Sequence, residues 1–508
     1  MNNKKVLLLI LSLIVFVFVA CSNKVSKLSD SEIIVNLSVE PKTIDPSFNA
    51  QIYGVIYIQH VFEGLTTRDK NNKVVEGVAE SWDISQDGKI YTFHLRTNSL
   101  WSDGKPVVAE DFVYSWRREV DPVVASEFSY QHEAVKNARD ITAGKKPVET
   151  LGVKAIDDYT LEVELEAPTA YFLELTAFPN IMSERNIDKN IVMTKSTNYW
   201  NADTIIADKI TFMFMQDGAA AIAGIKEGSL HLAYEPPQQD IPTLTEEGLI
   251  QIKPLIATYY YPINVTNQYL KDARVRKALS LVIDRNYIVE NVTKGGQKPA
   301  GGWIPYAVND MEGDFRENAG DLYDISKEGY NNNIAMAKKL LAEAGYPNGE
   351  GFPVIEFTTD PGNHVGIFEA VQQMWKEHLN IDSSITQVDN ALLGQRLLEK
   401  KFMIGRLYWS SDYMDPMSMM SLFVSYNTQN NGGYSNRRYD ELIERAASTD
   451  DQNVRMEAMH EAEKIFIEDM GAIPIYFYTE PLLVNPKLKG VVYNPLGFHR
   501  FNYAYLEK

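Results

Sequence analysis

The sequence predicts a mixed α/β protein of two or three lobes, on three observations. Its 508 residues are more than one simple hydrophobic core takes up. Stretches with strand alternation are interleaved with stretches of helical periodicity along the chain. The composition, 45% hydrophobic and 23% charged, is that of a soluble globular protein, and neither an internal repeat nor a low-complexity tract interrupts it.

The elements follow in order. "IIVNLSV", residues 33–39, is short and β-rich and reads as a buried strand. "SWDISQDGKIYTFHLR" reads as a hairpin turning at Asp87-Gly88, with Tyr91, Phe93 and Leu95 on one face. A second Asp-Gly turn stands at Asp103-Gly104, ahead of a helical stripe of Phe112, Val113, Trp116 and Val120. "LGVKAIDDYTLEVELEAP" predicts another hairpin, with Leu161, Val163 and Leu165 alternating. Asp272 is placed to cap "ARVRKALSLVI", and Asp284 to cap a second helix stopping near Gly295-Gly296. "NNIAMAKKLLAEAGYPNGEG" is the clearest helix, capped by an Asn, striped by Ile334, Ala337, Leu341 and Ala344, and stopped by Gly345 and Pro347.

The N-terminal stretch is of another kind. Lys4 and Lys5 precede an apolar run over 6–19 that only Ser12 interrupts, and "FVAC" ends at Cys21. The run is short for a membrane span and right for a secretory signal. Cys21 is the single cysteine, so no internal disulfide forms. A lone Cys after a small residue in this position resembles a bacterial lipobox, in which the thiol is acylated, although Phe18 stands where Leu is usual. The polar "SNKVSKLSDS" that follows reads as a flexible tether.

Most chemical motifs fail on inspection. A formal net charge of −19 argues against a general affinity for nucleic acid. Ser102 and Lys105 match the Ser-x-x-Lys of penicillin-recognising enzymes, but Asp-Gly between them and Pro106 after them is turn chemistry rather than a helical turn. Eight scattered histidines and one cysteine supply no recognisable zinc spacing, and no phosphate loop or Gly-x-Ser-x-Gly elbow is present. No metal, no cofactor and no catalysis are expected. One anomaly stands in "YWSSDYMDPMSMM": Asp412 lies among aromatic residues and methionines, where a carboxylate needs a partner. An internal cation, a metal, a substrate proton and a cationic ligand all remain open as that partner.

Several segments together resemble one family. "FEGLTTRDKNNKVVEGVAESWDISQDGKIYTFHLRTNSLWSDGKPVVAEDFVYSWRR", "LGVKAIDDYTLEVELEAPTAYF", "TYYYPINVTNQ", "DARVRKALSLVIDR", "AKKLLAEAGYPNGEGFP" and "YWSSDYMDP" stand in the order found in bacterial oligopeptide-binding proteins, the family 5 solute-binding subunits of peptide-importing ABC transporters. The resemblance implies a periplasmic-binding-protein-like two-lobed clamshell of type II with an extra third domain. After a signal peptide at 1–20 and a tether at 21–32, lobe I takes 33–62, 183–270 and 481–508. The extra domain, 63–182, is an insertion in lobe I, and lobe II takes 271–480. One departure stands out: after "AYFLELTAFPN", ending at Asn180, a helix and a Gly-aromatic strand usual in the family are absent, so the first lobe is expected to be shortened there.

What the resemblance implies about function is peptide capture by main-chain contacts between closing lobes, with side chains left in roomy pockets. Asp412 would meet the peptide α-ammonium, the alternative being a salt bridge to Arg406 or another internal cation. Trp409 would wall the pocket, and Tyr259, Tyr260 and Tyr261 with Asn264 would line the cleft unless the tyrosines are strand core. Arg406 would meet the carboxylate of a short peptide or hold a structural salt bridge. Partners are oligopeptides, permease subunits and a membrane held through lipid on Cys21, for a monomer outside the cytoplasm. Relatives carrying cell-wall peptides, haem or nickel chelates leave other cargoes open, with a peptidase or penicillin-recognising hydrolase as the enzyme alternative.

Overall fold

The structure is a computed structural model that describes residues 32–49, 52–126, 128–178 and 190–508. Cys21, the expected signal and most of the tether, and the junction directly after Asn180 lie outside the described residues.

Two long strands organise the fold. Ile250–Pro262 and Ala472–Val484 pair antiparallel along most of their length, with register shifts between Pro254 and Thr258 and between Tyr259 and Tyr260. Such irregularities bend and twist a ribbon. One end of the pair packs with Leu249 and Leu483 in one apolar cluster, and the other carries Ile256 and Tyr259 into a different, larger one. These strands sit inside an eight-stranded sheet ordered Leu407–Ser410, Ile250–Pro262, Ala472–Val484, Leu232–Ala233, Glu32–Asn36, Lys209–Met213 and Asn190–Thr194, with Lys298–Pro299 joining Ala472–Val484 off that path. Leu407–Ser410 is therefore a terminal strand.

The segment between the first and later pieces of that sheet builds its own core. Ala79–Ile84, Ile90–Leu95, Thr160–Glu164 and Val153–Asp157 form a four-stranded antiparallel sheet in that order. Gly88 takes φ 68° at the first hairpin, a conformation glycine adopts without strain. Phe93, Leu161, Val163 and Leu165 pack against Phe112 and Trp116 of helix Ala109–Val120, as their alternation requires. Ser102 and Lys105 lie in a turn whose Gly104 has φ 86°, so the Ser-x-x-Lys spacing is not one of a helix.

The larger cluster is built around a parallel sheet of Ser383–Gln387, Ile355–Thr359 and Ile404–Gly405, covered by helix Asn363–Leu379. Asp272 and Asp284 cap their helices through Arg274 and Tyr287 backbone N–H groups, as the sequence predicts. One expected cap is different. Helix Tyr330–Glu343 starts from Gly329 with no side-chain cap, and Asn333 lies within its first turn, donating instead to the Asp324 carbonyl at 2.5 Å.

Candidate functional site

The terminal strand Leu407–Ser410 pairs on one edge with Ile250–Pro262, setting Trp409 opposite Thr258 and Tyr408 opposite Tyr259. Its other edge carries no strand among the described residues. Beyond it the chain turns sharply over 411–416, and side chains brace the turn. The Ser411 hydroxyl donates to the Tyr413 carbonyl at 2.6 Å, the Asp412 N–H to the Ser418 hydroxyl at 2.9 Å, and the Trp409 indole to the Ser418 carbonyl at 3.0 Å. Arg455 grips both carboxylate oxygens of buried Asp415 at 2.9 and 3.0 Å. Met417, Met419 and Met420 fill the core beneath.

This bracing holds Asp412 in a pocket, partly open to solvent, between the turn, the Phe62 to Arg68 stretch, Leu175 to Phe178 and the Asn494 to Arg500 stretch. Its carboxylate accepts one hydrogen bond, from the Tyr130 hydroxyl at 2.9 Å, and forms no salt bridge with a described residue. Burial pushes its acid group up to about 6, against the lowering effect of the Tyr130 hydroxyl. The internal cations are engaged elsewhere: Arg406 faces Asp360 at 3.4 Å and Arg455 faces Asp415. Tyr413 stacks on Tyr171 across the same boundary, centroids 4.6 Å apart and planes 7° apart.

The other expected site residues divide. Trp409 stands in the edge strand beside Asp412 and packs on the main core. Tyr259, Tyr260 and Tyr261 are buried, and their strand is paired on both edges, so it has no free edge to which a peptide strand can add. The free edge belongs to Leu407–Ser410 instead. Tyr260 is core, edge-on to Trp303 at 4.9 Å. Asn264 is committed to the main chain, donating to the Lys400 and Phe402 carbonyls at 3.0 Å each and accepting from Thr266; it does not line the Asp412 pocket.

Arg406 lies apart from Asp412, beside Tyr259 and Tyr408, its guanidinium carbon 5.4 and 5.5 Å from their ring centroids. His364 stacks on Tyr259 at 5.6 Å. In this cluster Tyr259 Oη, Tyr261 Oη, His364 Nδ1 and Arg406 Nε are buried without a hydrogen bond of good geometry to the described residues. Tyr130, Tyr408, Asp360 and His364 were not singled out from the sequence. Tyr130 reaches Asp412 across 282 positions, and no local pattern reports such a pairing.

Comparison with known proteins bears on this geometry. Residues 73–190 and 179–431 match the family described as bacterial extracellular solute-binding proteins, family 5. The chain belongs to family 5 of the bacterial extracellular solute-binding proteins. Among family 5 relatives, the oligopeptide-binding protein OppA of Bacillus subtilis (strain 168) is 33% identical over 516 residues, 93% of this chain and 92% of the relative. The unliganded open form of MppA, the Escherichia coli periplasmic murein peptide-binding protein, superposes with a TM-score of 0.82 at 30% identity, covering 94% of this chain and 97% of that one. Haemophilus influenzae OppA in complex with the peptide RPPGFSPFR gives 0.71 at 29% identity, covering 94% and 99%. The fold is thus the two-lobed α/β arrangement of this family. Membership in a family of solute-binding proteins sets the enzyme readings aside.

Proposed function

We propose that this chain captures oligopeptides outside the cytoplasm and delivers them to an ABC importer. The observation that carries the reading is Asp412, a buried carboxylate with a phenol and, among the described residues, no cation for company, at the end of a strand edge that no described strand pairs. A peptide α-ammonium supplies the missing charge, and the backbone behind it can run along Leu407–Ser410 by strand addition. Tyr408 and Trp409 then flank the peptide. Arg406, ion-paired with Asp360 through a terminal nitrogen, keeps its Nε near the Tyr259 and Tyr261 hydroxyls without a hydrogen bond of good geometry among the described residues, and these donors suit the carboxylate of a short peptide. The names of the relatives support this cargo: one is called an oligopeptide-binding protein, and another was solved with a nonapeptide sequence.

The same reading extends to organisation. The insertion 63–182, the lobe I pieces 33–62, 183–270 and 481–508, and lobe II at 271–480 find partial support in three apolar clusters, although Ile256 to Leu270 and Leu496 pack into the lobe II cluster and Ile58 and Phe62 into that of the insertion. The higher likeness to an unliganded open form than to a peptide complex supports a cleft that closes on its ligand. Lipid on Cys21 would hold the body to the membrane, on the strength of Lys4, Lys5, the apolar run and "FVAC".

A thermodynamic cycle tests the site. Removing one member of a buried charge pair costs about 3–5 kcal/mol, and each ~1.4 kcal/mol is tenfold. Asp412→Asn is therefore expected to weaken tripeptide binding by at least about a hundredfold in calorimetry. N-acetylating the peptide is expected to do similar damage to the wild type and to add little to the variant's loss, because both changes delete one contact. Losses that simply add would place the ammonium elsewhere.

A further inference from the structure

Among the described residues, the pocket beside Asp412 has more carboxylates than cations. Two guanidinium groups, Arg68 and Arg500, share its walls with three carboxylates, Glu63, Glu174 and Asp412. Arg68 is ion-paired with Glu174, with side chains only 11% and 19% exposed, and Asp412 forms no salt bridge with a described residue. Arg68 is further held by the Asn72 carbonyl at 3.1 Å and the Met414 sulfur at 3.6 Å. Glu63 accepts from the Tyr199 hydroxyl at 2.6 Å and the Trp200 indole at 2.7 Å, and interacts electrostatically with Arg500. Arg500 donates to the Asp69 carbonyl at 2.8 Å. The remaining wall is uncharged: Phe178, edge-on to Phe498 at 6.3 Å, and Phe62 share it with the neutral polar side chains of Gln59, Thr67, Gln131 and Asn494.

The side chain of a peptide's first residue springs from the carbon that bears the ammonium. With that ammonium against Asp412, the pocket that Asp412 lines lies within reach of the side chain. A basic or acidic group arriving there finds Glu174 and Arg68 already committed to each other, and brings a charge out of water without the partner that either would supply alone.

Resting on the peptide reading above, we propose that this pocket receives the first side chain and that the closed Arg68–Glu174 pair makes it select uncharged residues, aromatic or aliphatic, against both signs of charge. The selection is largely by rejection, which is how specificity against a charged competitor is built. Opening the pair changes its sign: without the Glu174 charge, Arg68 becomes a partner for an acidic side chain, and without Arg68, Glu174 becomes one for a basic side chain.

The experiment is calorimetry with tripeptides X-Ala-Ala, where X is Phe, Leu, Glu or Lys, on the full folded protein. In the wild type, Phe and Leu peptides are expected to bind about tenfold tighter, or more, than Glu and Lys peptides. Glu174→Gln is expected to raise the Glu peptide roughly tenfold relative to the Phe peptide, and Arg68→Gln to do the same for the Lys peptide. N-acetyl-Phe-Ala-Ala serves as the control for the ammonium. Glu and Lys peptides within about threefold of Phe in the wild type overturn the selectivity, while a loss on acetylation keeps the peptide reading. No loss on acetylation, or no tripeptide binding at all, overturns both. Folded variants whose preferences do not move overturn the role of the pair. The wild-type series decides the selectivity by itself if either variant fails to fold.

Discussion

At the scale of single residues, Asp412 sets function against stability. Its carboxyl titrates near 6 in the ligand-free protein because burial disfavours the charge, against about 3.9 in an unfolded chain. Between those values the folded state binds the proton more readily than the unfolded state. Stability therefore falls as pH rises from about 4 to 6, and the penalty is complete above that range. A shift of about two units corresponds to roughly 2–3 kcal/mol. Asp412→Asn keeps an oxygen for the Tyr130 hydroxyl and removes the charge. It is expected to raise the melting temperature at pH 7.5 and to lose that advantage near pH 4. On the proposed ammonium contact, peptide binding needs the ionised carboxylate, so affinity in the wild type is expected to fall about tenfold per pH unit below 6 and to be flat from there to about pH 7.5, before the peptide α-ammonium itself loses its proton. The variant's weak residual binding is expected to show no such slope. Calorimetric melts and titrations at pH 5 and 7.5 check both halves.

At the scale of elements, helix Gln452–Glu468 acts as a post for the site. Glu463, fully buried, accepts from Arg316 at 2.6 Å and from the Trp303 and Ile304 N–H groups at 2.7 Å, which anchors the helix to the main core. Near its other end Arg455 holds Asp415 and so fixes the turn that carries Asp412. Arg455→Met leaves Asp415 buried and unpaired, at a cost of about 3–5 kcal/mol in urea denaturation. Because the turn loses its anchor, peptide affinity is expected to drop about tenfold even where the protein is fully folded. An unchanged affinity in the folded variant would mean that Ser411 and Ser418 alone hold the turn. The terminal strand Leu407–Ser410 belongs to the same unit, since the turn begins where it ends.

At the scale of the whole molecule, residues from three distant parts of the chain meet at one pocket: Arg68 and Glu174, Asp412, and Arg500. Outside that pocket, the proposed lipid on Cys21 would keep the protein at the membrane where an importer works. If Cys21 is acylated, Cys21→Ala is expected to move the protein from the membrane fraction to the soluble fraction with its melting temperature unchanged; fractionation and immunoblotting check this. A single chain anchors marginally, so stable residence needs more than one. By itself the sequence determined what local physics determines. Asp-Gly turns close the first hairpin, Asp272 and Asp284 start their helices, alternating apolar residues set the inner faces of the strands, and a carboxylate among aromatic residues marked Asp412 as a group lacking a partner. Only the tertiary structure decided which partner that is not. Arg406 is spent on Asp360, Asn264 on main-chain carbonyls at Lys400 and Phe402, and the hydroxyl that donates to the Asp412 carboxylate comes from Tyr130. Nor does alternation along "TYYYPIN" tell a central strand from an edge, because sheet order depends on segments hundreds of residues away, such as Leu407–Ser410 and Ala472–Val484. Periodicity reports which face of a strand is buried; which of its edges is free is fixed by long-range pairing.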